Sequence, residues 1–67
     1  MDKKVKDIIF SVAKFYDETA DYMLKNGNHA QCQEFSYKFD GVMGIIESLN
    51  LVEEYEMWRE SQDGDEK

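Results

Sequence analysis

Apolar residues recur along this chain in two seven-residue repeats, separated by the polar step Asn26-Gly27-Asn28. Val5, Ile9, Val12, Tyr16, Thr19 and Met23 advance by 4, 3, 4, 3, 4. Cys32, Phe35, Phe39, Val42, Ile46 and Leu49 advance by 3, 4, 3, 4, 3. That spacing returns to one side of an α-helix at 3.6 residues per turn, and no strand period reproduces it. Two amphipathic helices joined by a tight turn hide their stripes by folding back on each other. The pattern predicts an antiparallel helical hairpin.

The polar punctuation sets the boundaries. Asp2 is a good N-cap, so the first helix is expected over residues 3–25. Asn26-Gly27 supplies a left-handed stop, with Gly27 just past the helix end. Asn28 with Gln31 reads as a capping box opening a second helix over 29–49. Asn50 with Glu53 repeats that signature and predicts a break, then a short third helix over 51–61 carrying Leu51, Tyr55 and Trp58 at i, i+4, i+7. A continuous helix through Asn50 is the rival reading. One domain over 1–61 and a disordered acidic tail over 62–67 complete the expected organisation.

Helix 1 is apolar over a wide arc. Ile8, Phe15 and Tyr22 form a second line one heptad apart, beside the first, and the combined stripe spans about 160°. One partner helix covers less than that. The expectation is therefore an all-α fold in which the third helix packs back and a homodimer, joined through Ile8, Phe15 and Tyr22, completes a helical bundle. A monomeric three-helix miniprotein is the alternative.

Length sharpens the question of self-association. A core in a chain of 67 residues rarely supplies more than about 3–5 kcal/mol without a disulfide, a metal or a partner copy. The single cysteine, Cys32, closes no internal disulfide and points to a reducing compartment. With no signal-peptide pattern and no apolar run beyond three residues such as Ile8-Ile9-Phe10, the expected location is cytoplasmic.

Charge then narrows the partners. Fifteen acidic against eight basic residues leave a net −7, which disfavours direct contact with nucleic acid or an anionic membrane and favours a protein with a basic surface. The charge is uneven: four lysines stand among residues 1–14, whereas eight carboxylates stand among residues 47–67. A hairpin brings those ends together, so part of the asymmetry serves the fold. Glu47, Glu53, Glu54, Glu56 and Glu60 are the expected docking charges, with Tyr55 and Trp58 as aromatic anchors among them; Trp58 also reads as a cap on the core.

Catalytic chemistry finds little to build on. His29 and Cys32 stand at i, i+3, half of a zinc set with no second pair. Asp17, Glu18, Asp21, Asp40 and Glu47 are expected to face solvent as surface charges, with Asp21–Lys25 and Glu34–Lys38 as i, i+4 pairs. No metal, cofactor or catalytic residue is expected. Gly41 and Gly44 lie inside helix 2 at a cost of about 1 kcal/mol each relative to alanine. They either leave a shallow outer pocket beside Ala30 and Tyr37 or make room for a bulky neighbour. Phe10 falls outside the helix 1 stripe and reads as a contact residue.

Two resemblances add to this. Phe35-Ser36-Tyr37-Lys38-Phe39-Asp40 resembles the Ser-Gln-x-Leu-Asp signature of the helical-hairpin phosphatases of sporulation phosphorelays. That likeness implies an aspartyl-phosphate phosphatase acting on a response regulator, with Ser36 and Asp40 as working residues; Tyr37 stands in place of the glutamine. In size, charge and style the chain is also similar to short acidic helical proteins encoded by phages of low-GC bacteria. That likeness implies a non-enzymatic inhibitor occupying the basic surface of a host nucleic-acid-binding or defence protein, as anti-CRISPR and DNA-mimic proteins do.

Overall fold

The structure is a computed structural model and describes residues 2–65. They form three helices, α1 (Lys3–Lys25), α2 (His29–Ser48) and α3 (Val52–Asp65), and no strand occurs among the described residues. Asp2 caps α1, its side chain accepting from the Lys4 amide at 3.2 Å. Asn28 caps α2, its side chain accepting from the amide of Gln31 at 3.2 Å, one residue further along than in the Asp2 cap.

Both junctions use one device. At the first, the Gly27 amide donates to the Leu24 carbonyl and the Asn28 amide to that of Met23, with Gly27 at φ 77°. At the second, the Asn50 amide donates to Glu47 and the Leu51 amide to Ile46, with Asn50 at φ 60°. Each is a Schellman turn, whose left-handed residue suits glycine best and asparagine next. The break at Asn50 is therefore present, but its cause differs from the expected one. Asn50 ends α2 rather than capping α3, which starts at Val52. At the far end, residues 62–65 continue α3 past the expected stop; residues 66 and 67 lie outside the described residues.

Packing centres on Phe10, Ala13, Ile46, Leu51 and Tyr55, with Ile9, Phe39, Val42, Met43, Val52 and Trp58 against them. Nearer the first turn, Phe35 of α2 meets Phe15 and Tyr16 of α1, ring centroids 6.4 and 6.1 Å apart. Leu51, Tyr55 and Trp58 bring α3 back onto α1, as their spacing predicts. Phe10 sits between Tyr55 and Trp58 at centroid distances of 5.4 and 5.7 Å.

Phe10, expected outside the stripe, is 3% exposed. The reason is a shift of the buried line by one residue. Lys6, Phe10, Ala13, Asp17 and Ala20, stepping 4, 3, 4, 3, face the rest of the molecule, while Val5 and Val12 of the expected seam remain exposed. Alanines at 13 and 20 suit a close approach between helices, and α3 supplies the cover that Phe10 needs. The Cα envelope measures 37 × 31 × 17 Å, a slab rather than a ball. Its radius of gyration of 12.6 Å exceeds the ~11 Å of a compact chain of this length.

Candidate functional site

Two ion pairs fasten α3 to α1 on either side of the aromatic cluster. Lys6 Nζ donates to Glu54 Oε2 at 2.9 Å, joining the basic start of α1 to the acidic segment. Arg59 Nη1 donates to Asp17 Oδ2 at 3.0 Å and to the Tyr55 hydroxyl at 2.9 Å. Burial opposes the Arg59 charge, but the hydrogen bonds to Tyr55 and Asp17 outweigh it and raise the pKa, so the guanidinium stays charged at any physiological pH. Asp17, expected among the solvent carboxylates, is instead half-buried against α3. Glu18, Asp21, Asp40 and Glu47 do face solvent. The Lys25–Asp21 and Lys38–Glu34 pairs form at 3.0 and 3.5 Å.

This arrangement sorts the acidic segment into two sets. Glu54 turns toward α1. Glu53, Glu56 and Glu60, at i, i+3, i+7, share the outer side of α3 and are exposed, as is Glu47 at the end of α2. Tyr55 does not stand with them. At 5% exposure it belongs to the core, which removes it as a surface anchor, because the same i, i+4 relation to Leu51 that makes α3 amphipathic turns it inward. Trp58 is half-buried and stacks on Tyr55 at 6.3 Å. The apolar residue that projects among the outer carboxylates is Met57, 67% exposed. Its sequence signal was its place one residue off the Leu51–Tyr55–Trp58 line. Beside it, a cleft of about 460 Å³ opens between the start of α1 and α3, lined by Lys3, Lys6, Phe10, Glu54, Met57 and Trp58 among others.

The second exposed surface is apolar. Ile8 and Phe15 are each 58% exposed and Tyr22 is 62% exposed, so neither α2 nor α3 covers the outer line of α1. Val5 and Val12 extend it. Phe15 meets Tyr16 of its own helix at 5.8 Å between ring centroids and Phe35 of α2 edge-on.

Residues suited to chemistry stay apart. His29 is exposed and Cys32 half-buried as a free thiol. Among the described residues, no group of three or more His, Cys, Asp and Glu converges to hold a metal ion. Ser36 is half-buried and Asp40 exposed on α2. Gly41 and Gly44 are exposed, and a Cβ on either would meet nothing within 4 Å. Making room for a residue of α1 or α3 is thus not their role. No helix of the structure is long and apolar enough to cross a membrane. No protein family, curated protein or solved structure matches this chain.

Proposed function

We propose that this chain is a non-enzymatic protein-binding module, an antiparallel hairpin with a third helix, that docks its acidic face on a basic surface of a partner protein. A cytoplasmic, self-associating inhibitor of the kind phages direct against host nucleic-acid-binding or defence proteins fits this description. One observation carries the reading. α3 commits Glu54 and Arg59 to holding itself on α1, yet leaves Glu53, Glu56 and Glu60 aligned outward around Met57. A row of carboxylates beside an exposed apolar side chain has the make-up of a charged rim with an anchor. Like charges so aligned also repel one another, a cost that an opposing cationic surface relieves.

Attraction of this kind makes association fast and salt-sensitive. Immobilised chain exposed to a low-GC bacterial lysate should retain a basic protein at low salt and release it at high salt. The triple variant Glu53→Lys, Glu56→Lys, Glu60→Lys should retain none of it, while keeping its helical circular dichroism because all three side chains are exposed. Equal capture by the variant, or capture indifferent to salt, would end the reading.

A further inference from the structure

We propose that a second copy of this chain seats on the open strip of α1, formed by Val5, Ile8, Val12, Phe15 and Tyr22 and continued on α2 by Ile45 and Leu49. The inference rests on the reading of the chain as an interaction module and assigns a second face to it, separate from the acidic side of α3.

The strip is itself a heptad line. Its members on α1 advance by 3, 4, 3 and 7: Val5 and Val12 stand one position before Lys6 and Ala13 of the buried line, and Ile8, Phe15 and Tyr22 stand two positions from it, on the far side of the helix. α2 continues the same flank. Phe35, which touches Phe15, is followed at 3, 7, 10 and 14 residues by Lys38, Val42, Ile45 and Leu49, and the last two are exposed. Two neighbouring helices thus present one apolar surface with helical spacing. Another surface of the same spacing fills it, knobs into holes.

Area identifies the occupant. From their fractional exposures, the seven side chains leave on the order of 700 Å² uncovered, against ~800 Å² per partner in a standard interface and 300–600 Å² for the largest patch of an ordinary monomer. Two copies meeting through this face by a two-fold axis would approach the standard size largely from apolar contact. The slab shape points the same way, since a layer 17 Å thick doubles its depth by stacking on itself.

Charge permits it here and opposes it elsewhere. Each chain carries −7, so two copies repel across most approaches. On the two helices that carry the strip, Lys25 pairs with Asp21 and Lys38 with Glu34, which neutralises part of that charge locally. Gly41, one turn before Ile45 with open space at its Cβ position, lets the other backbone come close.

The test is the mass of the full chain in solution by light scattering, read together with circular dichroism. Wild type should show twice 7.9 kDa at high micromolar concentration. Phe15→Glu and Ile45→Glu should each weaken association about tenfold or more while staying helical, because both side chains are already largely exposed. If either loses its helical signal, Tyr22→Lys is read in its place. A wild type of single-chain mass at high micromolar concentration overturns the proposal. So does a dimer that survives all the variants that fold, since its contact would lie elsewhere. A monomeric wild type that still captures a salt-released basic protein refutes this inference alone. A dimer that captures nothing refutes only the acidic docking.

Discussion

Two lines of side chains run down roughly opposite sides of α1, two residues out of step, and they meet opposite fates. The line through Lys6, Phe10, Ala13, Asp17 and Ala20 is closed over by α2 and α3. The line through Ile8, Phe15 and Tyr22 is left to solvent. The open line is the more apolar of the two, with aliphatic and aromatic side chains where the closed line has two alanines and two charges. Hydrophobicity alone did not choose the inside. The closed line offers what a small three-helix fold needs: alanines for close approach, one large ring for α3 to cover, and a cation and an anion spaced to bond Glu54 and Arg59. The open line offers bulk, which suits a partner.

The sharpest way to break this contrast is at Phe10. Phe10→Ala should cost about 3–5 kcal/mol, comparable to the whole stability of so small a core, and leave the chain largely unfolded by circular dichroism. A folded variant would mean that α3 contributes little. Next comes the outer ion pair. Arg59→Ala should cost about 1 kcal/mol, a charged hydrogen bond discounted for the exposure of Asp17. It should show as a lower urea midpoint and as faster hydrogen exchange in α3 ahead of α1 and α2. Gly44→Ala should act in the other direction, stabilising by about 0.5–1 kcal/mol through helix propensity, since a methyl group there meets nothing. The smallest effect belongs to the open line. Tyr22→Ser in dilute solution should shift thermal stability by no more than about 0.5 kcal/mol. A loss as large as that of Phe10→Ala would show that the two lines are not different in kind.

Much of the architecture could be read from spacing and punctuation. Gly27 and Asn50 marked both junctions, and Leu51, Tyr55 and Trp58 marked the inward side of α3. What spacing did not reveal was that the line one residue beyond the Val5–Ile9–Val12 seam would be the one to close. Ala13 and Ala20 carry little apolar signal, and Lys6 and Asp17 carry the wrong one until α3 is in place to bond them. For that reason Phe10 looked external, Asp17 looked like a solvent carboxylate and Tyr55 looked like an anchor. The outward set of Glu53, Glu56 and Glu60 was legible as acidic sequence. Its separation from Glu54, and the exposure of Met57 within it, depended on the direction from which α3 approaches α1.

The turn at Asn50 and Leu51 has a consequence in time. Leu51 closes the α2 turn through its amide and enters the core through its side chain, so the end of α2 and the docking of α3 are coupled at one residue. The contacts that hold α3, Lys6 with Glu54 and Asp17 with Arg59, span 48 and 42 residues, whereas α1 and α2 meet across a three-residue step. Short loops close before long ones. The α3 contacts are therefore expected to form later than those between α1 and α2 and to open first, which hydrogen exchange along the chain would show as weaker protection of α3. Such an opening would expose Phe10 on the side of α1 roughly opposite Ile8 and Phe15, and so bare apolar side chains on both sides of that helix at once.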